Sequence, residues 1–151
     1  MKRIMFVCLG NICRSPMAEM VFRDLVQKAG LEDRFVIASA ATSSWELGNP
    51  PHYGTQAELK KHGISCGKKR AVRLKASDYN EYDLILGMDR QNIRDMLDLF
   101  GGDPEHKVHL LKEYTGGGEV DDPWYSGDFE STYRDISTAC EALLSKIRNQ
   151  N

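Results

Sequence analysis

The chain has 151 residues, 41% hydrophobic and 28% charged, with a formal net charge of −2 at pH 7. These values are those of an ordinary soluble globular protein with one domain, residues 1–151, and an acidic balance that argues against a nucleic-acid partner. No apolar run reaches the length of a membrane span, the one after Met1-Lys2-Arg3 is too short for a signal peptide, and four cysteines suit a reducing cytoplasm better than a disulfide framework.

Ile4-Met5-Phe6-Val7 is apolar on consecutive residues, which predicts a strand over about Lys2 to Val7 covered on both faces. The stretch Cys8-Leu9-Gly10-Asn11-Ile12-Cys13-Arg14-Ser15-Pro16 follows. Ala18, Val21, Phe22, Leu25 and Ala29 then trace one face of a helix that stops at Gly30, with Ser15 and Pro16 read as N-cap and first helical residue. Phe35-Val36-Ile37-Ala38 is a second strand, so the unit is a right-handed crossover. The loop from Ala40 to about Gly54 carries Trp45, two prolines and Tyr53. By pattern alone Trp45 is equally a lid over a pocket or a plug packed on the domain's side. A short helix over about Thr55 to His62 closes at Gly63.

Lys60, Lys61, Lys68, Lys69, Arg70, Arg73 and Lys75 come with no acidic residue between them. Such a run is a solvated surface or an attractor of anionic substrates. Asp83-Leu84-Ile85-Leu86-Gly87-Met88 predicts a third strand. Asp89 caps a helix that presents Ile93, Met96, Leu97 and Phe100 and ends at Gly101-Gly102. Val108-His109-Leu110-Leu111 is a short fourth strand, and Lys112 to Gly127 is a loop rich in glycine and acid. Phe129, Tyr133, Ile136, Cys140, Leu143, Leu144 and Ile147 mark a long amphipathic helix. The alternation predicts an α/β fold: a four-stranded parallel sheet with helices on both faces, and the site at the strands' carboxyl ends.

The turn after strand 1 puts a thiol where a strand ends and an arginine where a helix begins. Backbone N–H groups there can converge on an anion, the helix N-terminus favours a thiolate, and the Arg14 fork matches two phosphoryl oxygens. The stretch reads as a phosphate-binding loop with a built-in nucleophile. The loop holds no carboxyl group, so a proton donor must come from elsewhere. Asp122, held out of the helical region by Pro123, is one choice, and the pattern leaves Asp121 and Glu119 open beside it.

Cys8 to Pro16, with Asp122-Pro123-Trp124-Tyr125 far downstream, resembles the low-molecular-weight protein tyrosine phosphatases, and the resemblance covers essentially the whole chain. It implies hydrolysis of phosphotyrosine on a protein, or of a small aryl phosphate, through a phosphocysteine on Cys8, with inorganic phosphate as product. Leu9, Gly10, Asn11, Ile12 and Cys13 would cradle the phosphoryl oxygens with Arg14. The resemblance assigns the acid to Asp122, gives Ser15 a hydrogen bond to the Cys8 thiolate, and favours Trp45 as pocket wall. Tyr125 matches a tyrosine of that family, whereas Trp124 departs from the tyrosine more often found there and leaves the pocket wall open. No cofactor, metal, nucleic acid or membrane is implied.

Cys-x4-Cys without a second ligand pair is a poor zinc site, so Cys13 is either a resolving thiol for an oxidised Cys8 or a small side chain packed under the loop. Cys66 and Cys140 read as packing residues, and His52, His62, His106 and His109 as surface or packing residues. Three other functions compete. An arsenate reductase would need further cysteines paired to pass a disulfide outward. A phosphoarginine phosphatase, by the same resemblance, would carry threonine in place of Ile12. A non-catalytic phosphate-binding module or a phosphocysteine carrier would not need both Arg14 and Asp122.

Overall fold

In the computed structural model, which describes residues 1–150, the apolar run at the start of the chain becomes β1 (Lys2–Cys8), an inner strand. The chain continues through α1 (Arg14–Lys28), β2 (Phe35–Ala41), α2 (Tyr53–Lys61), α3 (Asp78–Glu81) and β3 (Leu84–Gly87). It then passes α4 (Arg90–Phe100), β4 (Val108–Leu110), α5 (Pro123–Ser126) and α6 (Phe129–Asn149). The strands are all parallel and run in the order β2-β1-β3-β4.

Alternation along β1 explains the two helix layers. Ile4, Phe6 and Cys8 point into a core shared with Met17 and Phe22 of α1, Leu59 of α2, and Ile136, Cys140 and Leu143 of α6. Met5 and Val7 point the other way, toward Leu74, Tyr79 of α3 and Met96 of α4. Phe22 lies edge-on between Phe6 and Phe35, with ring centroids 5.8 Å and 5.5 Å away. Full burial of each such side chain contributes about 1.5–3 kcal/mol. Among the described residues no helix is long and apolar enough to cross a membrane.

The predicted parallel sheet with helices on both faces is the one observed, and several boundaries move. β2 runs on to Ala41, because the small residues Ser39, Ala40 and Ala41 pair with Phe6, Val7 and Cys8. α1 starts at Arg14 with Cys13 as its N-cap, so Ser15 and Pro16 lie inside the first turn. Ser15 is therefore not the cap. α2 begins two residues early, because the His52 ring caps it. The expected loop from Lys112 to Gly127 contains part of a 3-10 turn (Leu111–Thr115) and all of α5. α3 and α5 are four residues each, too short to show a helical period.

β1 connects to β2 on one side and has β3 on the other, so the chain reverses its direction of winding between β1 and β3. The crevice beyond the carboxyl ends of strands at such a point is where α/β sheets bind ligands. Two turns meet there: the one after Cys8 and the one that ends in Asp89.

Candidate active site

The turn from Cys8 to Arg14 is held from outside by its carbonyls. Thr42 N donates to Cys8 O, Ser43 N and Oγ to Leu9 O, His52 N to Ile12 O, and Thr55 Oγ1 to Cys13 O, all within 2.7–3.2 Å. With the carbonyls turned outward, the amides turn inward. Among the described residues, the N–H groups of Gly10, Ile12 and Cys13 have no hydrogen-bond partner. Asn11 N points at Cys8 Sγ, 3.3 Å away. Successive inward amides form a concave anion site, and the α1 N-terminus adds positive potential to it.

Asn11 makes this turn possible. Its φ of 58° lies in the left-handed region, where asparagine is among the few non-glycine residues found regularly. The side chain is fully buried behind the loop. Its Nδ2 donates to Ser15 Oγ (2.7 Å) and Ser39 Oγ (3.0 Å), and its Oδ1 accepts from Val72 N (3.1 Å). Ser39 Oγ in turn donates to Glu19 Oε1 at 2.5 Å. Lys69 closes the far end, with Nζ 2.9 Å from Ser39 O and 3.5 Å from Glu19. Burial holds the Lys69 ammonium below its usual range, and the attraction of Glu19 only partly offsets this. One member of the basic run is thus held by partners rather than free in solvent; it is a part-buried strut.

Arg14 is only 3% exposed. Its Nη1 donates to Asp89 Oδ2 (2.8 Å) and Val120 O (3.0 Å), and its Nη2 lies 3.5 Å from Asp122 Oδ2. Burial pushes the guanidinium pKa down. The Cys8 thiolate, Asp89 and Asp122 more than offset that, and it ends above its ordinary value. Asp89 is itself fixed by a capping box with Asn92 at the start of α4. One buried donor, Nε, has no partner among the described residues and remains for a ligand oxygen.

Asp122 caps α5: its Oδ1 accepts from Trp124 N at 3.0 Å, which leaves Oδ2 toward Arg14. Asp121 is exposed and turned away, with its carbonyl bound by Thr132 Oγ1, and Glu119 accepts from Arg90 N. Of the three carboxylates, Asp122 alone lines the cavity.

That cavity measures about 140 Å³, small beside the roughly 300–1,000 Å³ usual for drug-sized ligands, and so suits a single side-chain-sized group. Cys8, Gly10, Cys13 and Arg14 line it with Asp122 and Glu46, and Ile12, Trp45, Trp124 and Tyr125 supply the apolar wall. Of the predicted site residues, Leu9 also lines it, while Asn11 and Ser15 stand behind the loop. Trp45 is exposed rather than plugged into the domain. With Trp124 and Tyr125, it forms an open rim. Cys13 is buried against Ile12, Ala71 and Phe129; burial, reinforced by the Cys8 thiolate and Asp122, pushes its thiol up to about 12.

Sequence reasoning read Asp89 only as a cap and assigned no role to Ser39, Glu19 or the Val120 carbonyl. A serine at a strand end and an acid on a helix are common enough to carry no signal. Among the described residues no three His, Cys, Asp or Glu side chains cluster as a metal site.

A thiol at the floor of an amide cradle, an arginine tethered by two acceptors and an adjacent carboxylate define a cysteine-dependent phosphatase site on an open α/β sheet. The family model described as low molecular weight phosphotyrosine protein phosphatase matches residues 3–151. A relative of that name from Schizosaccharomyces pombe is 47% identical over 151 residues, covering 96% of each chain. The low molecular weight protein-tyrosine-phosphatase YfkJ of Bacillus subtilis is 41% identical over 150 residues, covering 97% of this chain and 96% of that one. The crystal structure of YfkJ matches with a TM-score of 0.95 over 100% of this chain and 97% of the other. A Drosophila arginine phosphatase is 33% identical, with a TM-score of 0.87 over 97% of this chain and 98% of that one. The chain belongs to the low molecular weight phosphotyrosine protein phosphatase family.

Proposed function

We propose that the chain, as one domain over residues 1–151, hydrolyses phosphotyrosine on proteins, or small aryl phosphates, in the cytoplasm. The observation that carries this reading is the convergence of Cys8 Sγ, the inward amides, the free Arg14 Nε and Asp122 on one small apolar-walled cavity. Cys8 Sγ attacks phosphorus in line with the leaving oxygen, forming the S–P bond as the P–O bond breaks. The amides from Leu9 to Arg14 and the Arg14 guanidinium hold the three equatorial oxygens. Protonated Asp122 delivers its proton to the departing tyrosine oxygen. Its carboxylate then accepts a proton from the water that attacks phosphorus and releases Cys8, and inorganic phosphate leaves. The charge is handled by Arg14 and amide dipoles, so the reaction needs no cofactor.

A phosphoarginine would present guanidinium N–H donors to the cavity wall. Besides Asp122, Glu46 is the carboxylate of the wall that faces them, while Ile12 offers no acceptor and packs readily against an aromatic ring. The test uses chelator-treated protein on phosphotyrosine and phosphoarginine, with Cys8→Ser, Asp121→Asn and Asp122→Asn beside the wild type. Phosphotyrosine should be the better substrate, and Cys8→Ser should be inactive while still binding phosphate. Asp122→Asn should lose roughly two to four orders of magnitude in kcat/KM on tyrosine-like leaving groups, and less as the leaving group grows more acidic. That pattern in Asp121→Asn instead would move the acid to the other carboxylate, and faster turnover of phosphoarginine would overturn the substrate.

A further inference from the structure

His52 sits where three parts of the site meet, and the mechanism above gives it no role. Its backbone N–H donates to Ile12 O of the phosphate loop at 2.7 Å. Its Nδ1 accepts from Gly54 N at 3.0 Å and so caps α2. Its ring is stacked on Phe129 of α6 (5.1 Å, 21°) and meets the Trp124 ring edge-on (5.6 Å, 82°). Gly54 keeps that stack close, because a Cβ there would fall 2.4 Å from Phe129 Cε2.

Up to Asp122 the segment is tied to Met88, Arg14 and Thr132, but beyond the buried Pro123 it runs over the surface. Residues 124–128 are exposed, and Trp124 is 56% exposed. Among the described residues the only ring contact of Trp124 is with His52. Trp124 N in turn holds Asp122 Oδ1. One continuous path therefore runs from the cradle at Ile12 through the His52 ring and Trp124 to the acid.

We propose that His52 is a positioning residue for the proton donor: it is tied to the cradle by its backbone and braces Trp124 with its ring, which holds the Asp122 carboxyl in register with the leaving oxygen. The inference rests on the reading of Asp122 as the acid. Proton delivery depends steeply on geometry, so loosening the brace slows the step that needs the acid and spares those that do not. An edge-to-face pair supports an effect of about three- to tenfold.

Two substitutions separate the brace from the cap. His52→Asn keeps a side-chain acceptor for Gly54 N and removes the ring; His52→Phe keeps the ring and removes the acceptor. We would measure kcat/KM over a series of aryl phosphates of increasing leaving-group acidity, with phosphate inhibition and Tm, for both variants, Trp124→Leu and Asp122→Asn. His52→Asn should lose about three- to tenfold on tyrosine-like leaving groups and nothing on strongly acidic phenols, with phosphate affinity unchanged. Trp124→Leu should share that leaving-group dependence, and His52→Phe should recover most of the loss despite a lower Tm. A loss of equal size across the series, no loss, or no recovery in His52→Phe overturns the positioning role. A flat series for Asp122→Asn overturns the acid assignment and the positioning role with it. A steep series for Asp122→Asn beside a flat one for His52→Asn overturns the positioning role alone.

Discussion

The Ser15 hydroxyl oxygen lies 3.0 Å from the Cys8 sulfur and at the same time accepts from Asn11 Nδ2 at 2.7 Å. Asn11 occupies one of the two lone pairs of that oxygen, which leaves the hydroxyl proton able to point at sulfur. We propose that Ser15 donates to the thiolate, supported in that orientation by the residue that shapes the loop.

Removing the donor should cost the thiolate. A hydrogen bond to a charged group is worth about 1.5–3 kcal/mol, so Ser15→Ala should lower kcat/KM by about ten- to a hundredfold near neutral pH. Ser15→Thr, which keeps the hydroxyl, should recover most of that loss. No recovery in Ser15→Thr would assign Ser15 to packing instead.

Arg14 is tethered through Nη1 by Asp89 and Val120, while Nη2 faces Asp122 and Nε has no partner among the described residues. Lysine cannot reproduce a planar fork that binds on both sides, so Arg14→Lys should lose about two to three orders of magnitude in kcat. Asp89→Asn weakens only the tether, and its loss should be nearer tenfold. Equal losses in the two variants would mean that Asp89 does more than hold Arg14.

Gly54 faces the Phe129 ring edge, with ring carbons 2.4–2.7 Å from where a Cβ would stand. Gly54→Ala must therefore shift α2 against α6, at a cost of about 1–3 kcal/mol by chemical denaturation. Pairing it with Phe129→Leu should return part of that loss, and full additivity would show that the clash is relieved elsewhere.

Alkali should destabilise the fold earlier than its tyrosines and lysines alone would. Burial, then the Cys8 thiolate and Asp122, raise the Cys13 thiol from 9.0 to about 12. Burial likewise raises Cys66 to about 11, and Cys140 further still. Above about pH 9 the unfolded chain releases these protons while the native state keeps them, so this contribution is whole below pH 9 and shrinks toward pH 11–12. Unfolding free energy measured from pH 7.5 to 10.5 should fall, and less steeply in Cys13→Ala. Parallel curves would exclude Cys13 as a source.

Local chemistry determined much of this protein before any folding was considered. The consecutive apolar residues of β1 point to a strand buried on both faces, and the amphipathic stripe from Phe129 to Ile147 to a helix laid on a core. The phosphate loop was legible because its thiol, arginine and turn residues lie within seven positions, and its geometry comes from its own backbone. The carboxylate was another matter. Asp121 and Asp122 are chemically identical neighbours, and resemblance alone chose between them. The fold separates them physically: the Asp122 side chain is held by Trp124 N and Arg14, while Asp121 faces outward with its carbonyl taken by Thr132. Asp89 is 75 residues from Arg14 and His52 is 72 from Trp124, and no period or spacing links positions so far apart. Those contacts exist because β1 and β3 lie side by side and α2 meets α6, juxtapositions fixed by burial of the whole core rather than by any local run of residues.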